Sequence, residues 1–193
     1  MKLILANNQT DKFINFYKEL SDKSEIKFDY SGYSNLLFIF DSKANESISV
    51  INTSNGKKLS DYDGVYINGY LNTYDTAAAV AICCKGLNIP FVNREFENPV
   101  SLSKLSMNAK LNNGNVSTPY SIAGSKYAIK YAVENSMISE YPKILKRADA
   151  DRGIDNFKVS SNQEVIELIE ESQDENIWFL QEYLENNGYY LMT

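Results

Sequence analysis

Apolar residues recur along this chain in short blocks of two different periods, and the succession of those periods predicts its elements. Residues 2–6 read as a strand, and Phe13, Phe16, Tyr17 and Leu20 then follow at helical spacing behind Thr10, a residue type suited to a helix start. From 26 to 53 the pattern turns to strand runs, 36–40 and 47–51. The polar residues 41–45 between them predict a hairpin or meander, and Asn55-Gly56 a turn. Residues 64–69 form a strand by composition. The apolar stretch 73–85 predicts a helix with Gly86 at its C-terminal cap, and 89–93 the next strand. Strand, helix, strand in that order implies a right-handed crossover within a small parallel or mixed sheet. Residues 1–98 are therefore expected to form one small α/β domain.

Beyond Pro99 the pattern resets, so a second unit is expected over 99–193. Residues 102–113 predict a helix stopped at Gly114, and Thr118-Pro119 opens an extended piece. Ala128, Ile129, Ala132 and Val133 mark one face of another helix. Residues 143–146 predict a strand. Ser161-Asn162-Gln163-Glu164 has the form of a capping box ahead of Val165, Leu168 and Ile169. Residues 177–184 predict the last strand.

Composition narrows the chemistry. The 193 residues are 44% hydrophobic with a formal net charge of −6, which fits a globular protein and argues against nucleic acid as a partner. No apolar run approaches a membrane span, and the N-terminus lacks the sections of a signal peptide, so a cytoplasmic protein is expected. Cys83 and Cys84 lie in the apolar helix, where burial as thiols is expected in place of a disulfide or metal site. Histidine is absent altogether. That removes Ser/His/Asp and Cys/His catalysis and His-containing zinc sites, so any chemistry rests on Lys, Arg, carboxylates, amides and backbone groups.

Lys146 ends an apolar strand, where a long cation can be aimed at a site, although a strand-end lysine taken alone is more often a snorkelling surface residue. The turn that follows, Ala148-Asp149-Ala150-Asp151-Arg152-Gly153-Ile154, can present N–H groups to a phosphate, with Gly153 permitting close approach and Arg152 adding a forked donor. Read blandly, it is a hairpin loop. Gln181-Glu182-Tyr183-Leu184 ends the last strand, and a side-chain amide plus the backbone of an extended hinge supplies the acceptor and donor that adenine requires.

Taken in order, these segments resemble the nucleotide clamp of the ATP-grasp superfamily, in particular its peptide-ligase branch, which includes ribosomal-protein glutamate ligases and is similar to glutathione synthetases. In that branch a Lys preceded by Asp begins a helix that leads through a Gly to an x-x-Pro strand. Here the text is Ser103-Lys104-Leu105, then Gly114 and Val116-Ser117-Thr118-Pro119, with Ser103 in place of the Asp. Asp155 stands where the family loop has a second glycine, and Gly188-Tyr189-Tyr190 where an Asp and an Arg commonly follow the hinge.

The resemblance spans residues 99–184. It implies a pre-ATP-grasp α/β domain over 1–98, then the first, α+β lobe of an ATP-grasp clamp over 99–193, truncated at Thr193. It implies that Lys104, Lys146, Arg152 and Gly153 hold the phosphates of ATP and that Gln181, Glu182, Tyr183 and Leu184 hold adenine. The implied reaction is carboxylate–amine ligation through an acyl phosphate, with small-molecule or peptide carboxylates and amines as substrates and Mg2+ in the complete enzyme. No catalytic residue or metal ligand is assignable in this segment. The rival expectation is a non-catalytic nucleotide-binding or interaction protein that keeps the fold. Strands from 143 and 177 are expected to leave an exposed edge that invites self-association.

Overall fold

A computed structural model describes residues 1–6, 11–44, 46–69, 73–97, 103–138, 140–148, 155–171 and 176–185. Two sheets organise them. The first is a four-stranded parallel sheet in the order β2 (Phe28–Gly32), β1 (Lys2–Ala6), β6 (Gly64–Asn68), β7 (Phe91–Val92). Helix α1 (Asp11–Lys23) connects β1 to β2, and α2 (Tyr74–Gly86) connects β6 to β7, which are the crossovers that parallel neighbours require.

The second sheet is seven-stranded and antiparallel. Its order is β10 (Asn156–Val159), β9 (Lys143–Arg147), β11 (Trp178–Glu182), β8 (Ser121–Gly124), β3 (Leu36–Phe40), β4 (Ile48–Asn52), β5 (Lys57–Lys58). The expected mixed α/β character is present. Strand pairing nonetheless runs across the boundary expected at 98/99, because β3, Phe38 opposite Ala123, pairs with β8.

Period-two alternation puts the two faces of this sheet in different cores. Leu37, Ile122, Leu145 and Leu180 point into a cluster with Ala128, Ile129, Val165 and Ile169 from α4 (Lys126–Glu134) and α5 (Asn162–Glu170). Phe38, Phe40, Ala123 and Phe179 point the other way, into a cluster shared with Leu3, Leu5, Val65, Ile67 and α2. Residues Thr76 to Cys84 of α2 are all buried, as a helix apolar on every side must be. Both cysteines are free thiols, and burial pushes Cys84 up to about 12.

Two sequence expectations change, and two strands appear that the sequence pattern does not mark. The strands from 143 and 177 are not edges: β9 lies between β10 and β11, and β11 between β9 and β8. The edge on that side, among the described residues, is β10, whose Asn-Phe-Lys-Val is short and half polar and carries little strand signal. Strand β2 was equally unmarked. Gly86 is the last residue of α2 and lacks a positive φ; a Cβ there would meet the Asn113 side chain of α3 (Lys104–Asn113) at 2.1 Å, so α3 packs closely against this position.

Candidate functional site

The register of the antiparallel sheet lines up two rows of side chains on the face turned away from α4 and α5. Lys146 stands opposite Phe179, and Phe179 opposite Ala123; in the next row Ile144 stands opposite Gln181, and Gln181 opposite Ser121. Lys146 therefore rises from the same surface as the buried Phe179, beside an amide contributed by β11. Its Nζ donates to Gln181 Oε1 at 2.7 Å, and Gln181 Nε2 donates to Ser121 Oγ at 3.1 Å. The Ser121 hydroxyl donates in turn to the Pro119 carbonyl at 3.0 Å.

A second lysine reaches the same place from another element. Ser103 caps α3, its Oγ accepting from Ser106 N at 3.2 Å, so Lys104 is the first helical residue. Ser103, which stands in place of the Asp of the pattern the sequence resembles, is thus the N-cap of α3. Lys104 Nζ donates to the Arg147 carbonyl at the end of β9 at 3.4 Å. Burial, and then the nearby Lys104 charge, hold the Lys146 ammonium below the usual lysine range.

The loop after β9 is closed at its base. Arg147 N donates to the Asp155 carbonyl at 3.3 Å, and Arg147 Nη1 meets Asp155 Oδ2 at 2.9 Å. Asp155 has φ +55°, the left-handed region, so aspartate here occupies a conformation for which glycine is the usual choice. Arg152 and Gly153 lie outside the described residues.

The structure thus brings together Lys104, Lys146 and Gln181. Tyr183 follows β11, with Lys158 Nζ of β10 at 4.0 Å from its ring centroid. Glu182 does not join them: it pairs with Lys143 on the opposite face, its N–H donating to the Tyr120 carbonyl at 2.9 Å and its Oε2 accepting from Tyr120 N at 3.4 Å. Leu184 lies past the last pair of β11 and is 61% exposed. Sequence reading missed Ser121 and Lys158. Both are alternate-face residues whose only signal is the register itself, which no local pattern displays.

Among the described residues no group of three or more His, Cys, Asp or Glu side chains could hold a metal ion, and no helix is long and apolar enough to cross a membrane. No family model matches the sequence, and no curated protein matches it. Solved structures do align with it. D-alanyl-alanine synthetase A from Vibrio cholerae aligns over 97% of this chain and 63% of its own at 15% identity, TM-score 0.37. A RimK domain ATP-grasp protein from Sphaerobacter thermophilus aligns over 96% and 64% at 13% identity, TM-score 0.36. A RiPP-associated ATP-grasp ligase from Chryseobacterium gregarium, solved with ADP and a leader and core peptide, aligns over 93% and 62% at 13% identity, TM-score 0.34. The chain spans less than two thirds of the length of each of these. Likeness at this level transfers neither ligand nor activity, so the functional reading rests on the site.

Proposed function

We propose that this chain carries the first nucleotide-holding lobe of an ATP-dependent carboxylate–amine ligase of the ATP-grasp type. The observation that carries the reading is the half-buried Lys146, bonded to Gln181 and flanked by Lys104 on one face of the sheet. Two ammonium groups brought close together repel each other, and phosphate oxygens bound beside them would offset that repulsion. Lys146 and Gln181 Oε1 also place a donor beside an acceptor. Adenine offers the matching pair on one edge, an acceptor ring nitrogen next to a donor amine.

In this reading Lys104 and Lys146 offset phosphate charge and hold the nucleotide in position. A substrate carboxylate oxygen attacks the terminal phosphorus, ADP leaves, and the acyl phosphate is then attacked by an amine with loss of phosphate. Such chemistry needs positioning and charge stabilisation more than a protein nucleophile, in keeping with a chain that lacks histidine. A divalent ion would neutralise the transferring phosphoryl group, but the described residues do not provide a carboxylate set that fits one. No step is assigned to it. The substrates fall in the class of small-molecule or peptide carboxylates and amines.

The test is calorimetric titration with ATP. Lys146→Ala should weaken binding by roughly ten- to a hundredfold, the equivalent of one charge-assisted hydrogen bond. Equal affinity of parent and variant would remove Lys146 from the site, and no ATP binding by the parent would end the reading.

A further inference from the structure

We propose that Ser121 determines base selectivity by fixing which end of the Gln181 amide faces the ligand, an inference that rests on the nucleotide-site reading above. A side-chain amide presents an acceptor or a donor depending on a half-turn about its last torsion. Here the hydrogen-bond inventory allows one choice. As an ammonium Lys146 has only donors, so the atom it meets at 2.7 Å is then the amide oxygen. A hydroxyl has one proton, and that of Ser121 is committed to the Pro119 carbonyl at 3.0 Å. Toward Gln181 Nε2, at 3.1 Å, Ser121 Oγ can therefore only accept.

The bonds run in one direction, from Lys146 through Gln181 and Ser121 to Pro119. Beside Lys146 the amide offers a ligand the second lone pair of Oε1, which requires a donor, while the second Nε2 proton lies at the Ser121 end. The exocyclic amine of adenine supplies one, whereas guanine carries an acceptor oxygen at that position. Once Lys146 turns its protons toward a nucleotide, Ser121 is the restraint left on the amide. Ser121 is completely buried, so its replacement by alanine leaves Nε2 without an acceptor and frees the amide to turn its NH2 group to the base. Ser121 touches no ligand and is a positioning residue.

The experiment measures dissociation constants for ATP and GTP in a cycle of four proteins: parent, Ser121→Ala, Gln181→Glu, and the double variant. The parent should prefer ATP, and Ser121→Ala should narrow that preference by on the order of tenfold. In the Gln181→Glu background both carboxylate oxygens are acceptors and orientation is moot, so Ser121→Ala should leave the ratio unchanged there. An unchanged ratio in the single variant overturns the inference, as does equal narrowing in both backgrounds, which would mean that Ser121 acts through packing. Ser121→Cys, closer in size and a poor acceptor, should behave as alanine does and guards against a folding defect. If the parent binds neither nucleotide, the nucleotide-site reading fails, and hydrogen exchange of the Gln181 amide protons in the ligand-free protein decides on the device. Protection that Ser121→Ala abolishes upholds the directional chain, and equal exchange in both proteins refutes it.

Discussion

The setting of Lys146 works against its ammonium form. Burial and Lys104 favour its neutral form, while the Gln181 oxygen is best met by an N–H that either form can supply. The folded chain therefore binds this proton less tightly than the unfolded chain does. Between the lowered value and the ordinary lysine value the unfolded state carries more protons, so stability rises with pH through that window; the penalty is complete below it and gone above it. Bound phosphates would reverse the bias and favour the ammonium. We therefore expect proton uptake on ATP binding within the window and none well below it. Calorimetry in buffers of different ionisation enthalpy reads this directly, and buffer-independent heats across the alkaline range would contradict it. Residue types and spacing had already singled out Lys104, Lys146 and Gln181. Sequence did not reveal that both ends of the Gln181 amide are engaged, because its partners Lys146 and Ser121 arrive by strand pairing with distant segments.

Elements whose signals are local were readable. Ser161 Oγ accepts from Glu164 N at 3.2 Å, and Glu164 Oε2 accepts from Ser160 N at 2.9 Å, so the polar signature before Val165 does start a helix. The apolar run of α2 became a helix packed on all sides. Strands β2 and β10 were silent because they are short edge strands defined by one neighbour each. Junctions between elements are likewise nonlocal, and Gly124 at the end of β8 is an example in which backbone crowds the site. A Cβ there would come within 2.7 Å of Ala128 Cβ on α4 and 2.8 Å of the Leu36 carbonyl on β3. Backbone cannot swing aside as a side-chain tip can. Gly124→Ala should cost about 1–3 kcal/mol in urea unfolding with an unchanged denaturant slope, and a cost near zero would mean that β3 and α4 part more easily than their packing suggests.

At the scale of the whole molecule, the antiparallel sheet gathers strands from both ends of the chain. The β3–β4 turn is tied to the segment before β8 by Ser42, whose hydroxyl donates to the Thr118 carbonyl at 3.0 Å and accepts from Thr118 N at 3.3 Å. Ser47 Oγ donates to the Asn112 carbonyl at 3.2 Å. Function at this scale depends on what completes the cationic face. On the reading proposed above Lys104 and Lys146 are the phosphate donors, and among the described residues no carboxylate set fits a metal, so the 193-residue chain is expected to bind ATP and to form no acyl phosphate when magnesium and a panel of carboxylates are added. Magnesium-dependent turnover by the purified chain would show that a metal site exists where none has been found.

The seam between β3 and β8 also has a consequence in time. On the ribosome, Leu-Leu-Phe-Ile-Phe of β3 emerges long before Ser121 to Gly124, and until then its outer backbone groups have no strand to pair with. A five-residue segment of that composition, uncharged and free of proline, is a template for pairing with a neighbouring nascent chain. A polypeptide ending at residue 98 should therefore sediment with aggregates, and supplying residues 99–193 in trans during refolding should recover it. Soluble, monomeric 1–98 would show instead that the first half shelters its own edge. Strand β8 is at once a wall of the lysine site and the strand that covers the open edge of β3.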